Sequence, residues 1–213
     1  MGKKRSVSSD RWLSEHFKDD YVKRAQAEGY RSRAVYKLAE IHRRYALFKP
    51  GMVVVDLGAA PGAWAQFAAE QVGAAGRVLA LDRLPMAPPA GVSCHCGDIN
   101  DPASVDWLRG ALGGRSAALV LSDMAPNMSG NKQVDQPRAM QLAEMALATA
   151  QAVLEKGGDV LIKVFQGEGM EAWRRALRAD FAKVYVVKPK ASRPRSAEIY
   201  YLARAYLKVG EHR

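Results

Sequence analysis

The sequence predicts a mostly parallel, twisted α/β sheet with helices on both faces, and three observations carry that prediction. Short apolar segments alternate with helix-period segments between residues 53 and 179. That order builds parallel strands joined by crossover helices. The segment Ala117–Ser122 is apolar without a break and ends at Asp123, as a central strand covered on both faces should be. The segment Val53–Asp56 runs into the small-residue turn Leu57-Gly-Ala-Ala-Pro-Gly62 and then into a helical pattern. Two final strands with no helix between them should close one end of the sheet as an antiparallel pair.

Taken in order, residues 1–12 are polar and basic and read as flexible. Residues 13–29 have weak helical character, with Phe17 and Tyr21 as anchors, and Gly29-Tyr30 breaks the run. Residues 1–30 are therefore expected to form a basic, partly flexible extension, and 31–213 a single domain. Ser32 is a candidate N-cap for a helix Arg33–Tyr45, whose Ala34, Leu38, Ile41 and Tyr45 repeat at helical spacing. Lys37 lies at the edge of that face, where it can reach water or a cleft.

Lys49-Pro-Gly51 opens the core. Strands are expected at Val53–Asp56, Arg77–Asp82, Val92–Cys96, Ala117–Asp123 and Asp159–Phe165. Helices are expected at Ala63–Gln71, Pro102–Leu112, Pro137–Leu154, closed by Gly157-Gly158, and Glu171–Ala179. Phe181–Val187 and Glu198–Tyr206 are the closing pair, separated by the basic loop Lys188–Ser196.

Composition narrows the function classes. Hydrophobic residues make up 48%, which marks a globular chain. No apolar run reaches the roughly 18 residues of a membrane span, and the basic N-terminus lacks the apolar stretch of a secretory signal. Cys94 and Cys96 have no partner pair for zinc and read as buried thiols on a strand in a reducing cytoplasm; no metal site is expected. The net charge of +10 is concentrated at the ends. Residues 1–49 carry +7, residues 50–182 carry −3 and residues 183–213 carry +6. A polyanion held by the two ends beside a central site accounts for that split.

The turn Asp56-Leu-Gly-Ala-Ala-Pro-Gly62 is neither a dinucleotide fingerprint nor a P-loop, because its glycine spacing is wrong and no Gly-Lys-Ser/Thr follows. It resembles the D-L-G-x-x-P-G loop of S-adenosylmethionine-dependent methyltransferases, which implies their Rossmann-like fold. Asp82, Asp98 and Asp123 end three successive strands, and with the Asp56 loop they should line one crevice at the carboxyl edge of the sheet. That crevice suits a nucleoside carrying a sulfonium: Asp82 at the ribose, Asp98 near the adenine, the loop backbone at the amino-acid part.

Two more residues break the apolar pattern. Lys163 stands inside Val-Leu-Ile-Lys-Val-Phe165, and Glu198 opens Glu-Ile-Tyr-Tyr-Leu202. With Lys37 and Asp123 they make two cations and two anions from four segments, either a structural ion-pair cluster or a reaction centre. Methyl transfer from a sulfonium to a hydroxyl needs an aligned acceptor oxygen and removal of its proton. A lysine made neutral by burial and a second cation could take that proton, and a charged one could stabilise the alkoxide. The residues leave both roles open.

Asp56–Gly62, Ser122-Asp-Met-Ala-Pro-Asn127, Lys163-Val-Phe-Gln-Gly-Glu-Gly169 and Ser192-Arg-Pro-Arg-Ser-Ala-Glu-Ile-Tyr200 together resemble the FtsJ-type ribose 2′-O-methyltransferases, and Ser32–Leu38 is similar to the first catalytic motif of that family. The resemblance runs from about Arg11 to Ala205. It implies a Lys-Asp-Lys-Glu tetrad at Lys37, Asp123, Lys163 and Glu198, with Lys163 as proton acceptor. It implies cofactor contacts at Gly62, Trp64, Asp82, Asp98 and Asp123, with S-adenosyl-L-methionine as donor and S-adenosyl-L-homocysteine as product. One departure is Ala63, where the family commonly carries a second glycine.

Length and compactness most resemble the bacterial members that methylate a uridine ribose in large-subunit ribosomal RNA. The expected partner is thus ribosomal RNA within the large subunit or its precursor, late in assembly, with the protein a cytoplasmic monomer. Transfer RNA is the alternative substrate. An NAD-dependent oxidoreductase is disfavoured by the glycine spacing and the basic ends, and a non-catalytic RNA-binding factor by the complete tetrad.

Overall fold

A computed structural model describes residues 19–193 and 196–207. The expectations placed on residues 1–18, including Phe17, lie outside the described residues. Helix α1 spans Asp20–Ala27 and is capped by Asp19, whose side chain accepts from the Tyr21 amide. Helix α2 follows at Val35–Tyr45. The core then runs β1 Val53–Leu57, α3 Ala63–Val72, β2 Arg77–Asp82, β3 Val92–Cys96, α4 Pro102–Leu112 and β4 Ala117–Ser122. It continues with α5 Lys132–Val153, β5 Leu154–Phe165, α6 Met170–Asp180, β6 Phe181–Val187 and β7 Glu198–Tyr206.

The seven strands lie in the order β3-β2-β1-β4-β5-β7-β6. The first five are mutually parallel, and β7 is antiparallel to both β5 and β6. The expected antiparallel pair is present, with β7 inserted between β5 and β6. Chain order reverses between β1 and β4, so a crevice opens at their carboxyl ends.

Strand residues alternate between the two faces. Val55, Leu57, Val120, Ile162 and Val164 pack on the face that carries Leu108, Ala146 and Leu177 of α4, α5 and α6. Val54, Ala80, Leu119, Leu121 and Leu161 pack on the opposite face with Leu38 and Ile41 of α2 and Ala65 and Ala68 of α3. Leu38 and Ile41 are fully buried, so the stripe read from α2 is what anchors this helix, and Lys37 with it, to the sheet.

The structure moves four local expectations. Helix α2 starts at Val35, because Ser32 Oγ supports a preceding turn by accepting from the Ala34 amide at 3.3 Å. Helix α5 starts at Lys132 and not at Pro137, because Asn131 caps it by accepting from the Gln133 amide. Pro137 then sits inside the helix, and the Gln133 carbonyl it cannot serve is on an exposed residue. Gly157-Gly158 do not close α5, which ends at Val153. They lie in a bulge of β5, where Leu154 pairs with Ala117 and Asp159 with Leu119. Cys94 is half-buried and Cys96 exposed, because β3 is the edge strand and only Val92 on it is buried.

Candidate active site

Four charged side chains from four segments meet at the carboxyl end of β4. Register pairs Ser122 with Ile162, which sets Lys163 beside Asp123, the residue that leaves β4. The Lys163 ammonium lies 3.0 Å from Asp123 Oδ1 and donates to the Asp123 carbonyl at 2.5 Å. Glu198 opens β7 opposite Phe165, and Lys37 reaches across from α2 to place Nζ 2.8 Å from its Oε1. Lys163 and Glu198 are each 8% exposed. Two cations and two anions thus form two ion pairs in one cluster, with Lys37 and Asp123 half-buried, and the pairing compensates charge that would otherwise be costly to bury.

One member was not read from the sequence. Tyr200 pairs directly with Lys163 across β5 and β7, is fully buried, and donates its hydroxyl to Asp123 Oδ1 at 2.6 Å. Its ring centroid lies 5.8 Å from the Lys37 ammonium, so it joins the two ion pairs. An aromatic in an apolar strand gives no sequence signal of this kind; only the two-residue offset from Glu198 puts it on the same face.

Burial pushes the Asp123 carboxyl up, but Lys163, Lys37 and the Tyr200 hydroxyl together outweigh it and hold Asp123 below the ordinary carboxylate range. Burial, then the Asp123 and Glu198 charges, push the Tyr200 phenol well above its ordinary value. At neutral pH the pair is therefore a carboxylate and an intact hydroxyl donor.

A cavity of about 490 Å³ adjoins Asp123 and is lined by Gly58, Asp82, Asp98, Met124 and, from α5, Arg138 and Met145. The structure brings the three strand-end carboxylates together here, as expected. Asp82 also organises the wall: Oδ2 accepts from the Ala60 amide and Oδ1 from the Leu84 amide, both at 2.8 Å. Asp98 holds an Asx turn through the Asn100 amide and side chain, both at 2.9 Å. A second hollow of about 610 Å³, near Gly29, Arg31 and Pro89, contains no tetrad residue or strand-end carboxylate in its lining.

Three residues at or beside the glycine loop sit elsewhere than in the cavity wall. Asp56 is 1% exposed and its Oδ2 has no partner. Burial, then the charges of Asp123 and Asp82, push its carboxyl up to about 8, against a pull from the Ala65 amide. Asp56 is thus largely protonated at pH 7, which leaves Asp82, Asp98 and Asp123 as the charged carboxylates of the crevice. Gly62 lies in the left-handed region at φ 105, and a Cβ there would meet Arg31 and Pro89. Trp64 is 3% exposed, donates its indole N–H to the Ala34 carbonyl at 2.8 Å, and packs 5.8 Å from the Tyr200 ring. These two shape the loop and the tetrad's base and do not line the cavity. Gly58 does line it. It has φ 73, and a Cβ there would fall 2.2 Å from Met124 Cγ.

Among the described residues no group of three His, Cys, Asp or Glu side chains is arranged to hold a metal, and no helix is long and apolar enough to cross a membrane.

This arrangement, a carboxylate-lined cavity abutting a Lys-Asp-Lys-Glu cluster, coincides with the reach of a known family profile. The FtsJ-like methyltransferase profile matches residues 30–206, from the start of α2's approach to the end of β7. The chain belongs to the FtsJ-like methyltransferase family. Within similar proteins, it is 56% identical over 207 residues to the ribosomal RNA large subunit methyltransferase E of Alkalilimnicola ehrlichii, covering 97% of this chain and 99% of the relative. It is 54% identical over 209 residues to the protein of the same name from Acidithiobacillus ferrooxidans, covering 98% and 95%. A solved Plasmodium falciparum structure described as a ribosomal RNA methyltransferase superposes with a TM-score of 0.74 at 28% identity, covering 84% of this chain and 99% of that one. The FtsJ-like family therefore accounts for both the Rossmann-like sheet and the enzyme class, and four of the motifs that resembled it contribute Lys37, Asp123, Lys163 and Glu198 to the one cluster.

Proposed function

We propose that this FtsJ-like enzyme transfers a methyl group from S-adenosyl-L-methionine to the 2′-hydroxyl of a uridine ribose in large-subunit ribosomal RNA, late in ribosome assembly. The single observation that carries this reading is the Lys163–Asp123 pair standing at the edge of the carboxylate-lined cavity. The names of the two bacterial relatives supply the ribosomal substrate, and the basic ends suit a polyanion.

The residues present fit such a donor. When bound, it supplies a methyl carbon made electrophilic by a sulfonium. Asp82 is placed to take ribose hydroxyls, Asp98 the adenine side, and the Gly58 turn gives close backbone approach. Gly62 closes that turn by donating its amide to the Ala59 carbonyl at 2.6 Å, and Trp64 packs against Tyr200. Asp123, kept ionised, gives the cavity a negative edge toward a cation.

On the acceptor side, Lys163 is held by Asp123 and faces Tyr200. In this reading Lys163, once its ammonium has released a proton to solvent, would take the proton of the acceptor hydroxyl as that oxygen gains the methyl group and the donor's sulfur leaves as a neutral thioether. A charged Lys163 would instead stabilise the developing alkoxide, with the proton leaving to water. The pH profile of turnover separates these roles. Lys37 and Glu198 pair with each other and complete the charge balance around Tyr200. The protein is proposed to act as a cytoplasmic monomer, with residues 1–30 as a basic extension on a single domain that begins at 31.

The test is ribose-methylation mapping in ribosomal and transfer RNA from cells lacking the protein, with purified enzyme added back. Loss and restoration of one uridine methylation in large-subunit RNA supports the reading. Loss confined to transfer RNA contradicts it and favours the alternative substrate.

A further inference from the structure

Two consecutive residues near the start of α5 each hold a loop that flanks the tetrad. Asp135 is 4% exposed. It accepts from the Ser129 amide and hydroxyl, both at 2.8 Å, and from the Gly130 amide at 2.9 Å, closing the loop that leaves Asp123. Gln136 donates Nε2–H to the Phe165 carbonyl at 3.2 Å and to the Glu168 carbonyl at 3.0 Å. Phe165 ends β5, two residues beyond Lys163. On its other side this exit is tied by the Gln166 amide to the Ala197 carbonyl at 3.1 Å, next to Glu198.

Gln136 therefore fixes the end of β5 between the segments that carry Asp123 and Glu198. The chemistry is specific to an amide. One NH₂ group offers two donors that span carbonyls three residues apart, whereas a carboxylate of the same shape offers acceptors only. The fit is also tight: a Cβ added at Gly167 would lie 2.4 Å from the Gln136 carboxamide carbon. The α5 side chains that line the cofactor cavity begin at Arg138, so this latch lies outside it.

We propose that Gln136 is a positioning residue for methyl transfer, holding the exit of β5 so that Lys163 meets Asp123 and the acceptor oxygen in the alignment an in-line displacement requires. The proposal rests on the reading of the site as a ribosomal RNA methyltransferase centre. Its role is exerted through Lys163 and not by contact with the reacting atoms.

The experiment measures steady-state methyl transfer to large ribosomal subunits from cells lacking the protein, using the full chain. Wild type is compared with Gln136→Glu, Gln136→Ala, Gly167→Ala and the Gln136→Ala/Gly167→Ala double variant, alongside donor binding and melting curves. Gln136→Glu should lower kcat roughly tenfold or more, as a displaced catalytic group does. Its Kd for S-adenosylmethionine and its KM for the particle should stay within about threefold, because transition-state alignment and not ground-state binding is lost.

Gly167→Ala should lower kcat in the same way when Gln136 is present, and should have little further effect once Gln136→Ala has removed the carboxamide it would strike. That non-additivity decides the matter even if Gln136→Glu melts too low to assay. A kcat for Gln136→Glu within about twofold of wild type, or full additivity in the cycle, overturns the latch. Wild-type transfer in the same assay stands apart from this. Its absence overturns the functional reading, and with it the latch, whereas its presence with unaffected variants overturns the latch alone.

Discussion

Lys163 and Tyr200 stand directly opposite each other on β5 and β7 and converge on the same oxygen, Asp123 Oδ1, at 3.0 and 2.6 Å. A strand pairing thereby turns one carboxylate into a fixed post. The lysine is oriented by an ion pair, and the carboxylate is oriented in turn by a phenol that stays protonated. Removing the hydroxyl while keeping the ring tests the arrangement. Tyr200→Phe should cost about 1.5–3 kcal/mol of stability, the range for a hydrogen bond to a charged group, and should lower turnover with donor affinity retained. Thermal denaturation and a methyl-transfer assay on the same preparation check both.

The neutral acid under the glycine loop gives a pH signature. Asp56 has a folded value of about 8 against an ordinary value of 3.8. The folded value is the higher, so its contribution to stability is full below the ordinary value and is lost as pH rises toward about 8, flattening above that. Asp123 works the other way: its lowered folded value adds stability that is present above the ordinary carboxylate range and lost in acid. Asp56→Asn removes the first dependence. Between pH 6 and 9 the wild type should lose on the order of 2 kcal/mol more than the variant, measured by urea denaturation. Parallel curves for the two proteins would contradict the neutral assignment.

Gly58→Ala combines a left-handed backbone angle with a Cβ that falls 2.2 Å from Met124 Cγ. Met124 and Gly58 both line the cavity, so the displacement must distort it. Strain of about 1–3 kcal/mol should appear as a Kd for S-adenosylmethionine weakened by roughly tenfold or more. Isothermal titration measures it, and unchanged affinity would place the donor away from this loop.

Charge at the two ends predicts how RNA affinity responds to salt. With +7 on residues 1–49 and +6 on residues 183–213, counterion release should lower RNA affinity by about tenfold or more between 50 and 200 mM salt. Filter binding to a large-subunit RNA fragment across that range measures the slope, and a flat response would rule out the ends as the RNA grip.

The sheet was legible because its signals are local. The unbroken apolar run of β4, the glycine turn after β1 and the carboxylates closing β2 and β4 each state a strand and its end. The charged tetrad was legible for the opposite reason, since Lys163 and Glu198 violate an apolar pattern and so advertise themselves. What stayed hidden depends on register between distant strands. Tyr200 looks like any buried aromatic until β7 is inserted beside β5 and pairs it with Lys163. Asp56 reads as one more acidic strand end, and only its complete burial makes it neutral. The start of α5 was misread because Pro137 is a common first-turn residue, while Asn131, the actual cap, lay in a stretch of turn formers. The edge position of β3 likewise left Cys94 and Cys96 outside the core.

Lys163 is proposed to act on the acceptor and not on the donor. Its most direct test is Lys163→Ala, assayed for transfer of radiolabelled methyl to large ribosomal subunits and for S-adenosylmethionine binding in the same preparation. Transfer should fall to background while the donor Kd stays within about threefold of wild type. Near-normal transfer by a folded Lys163→Ala protein would contradict it.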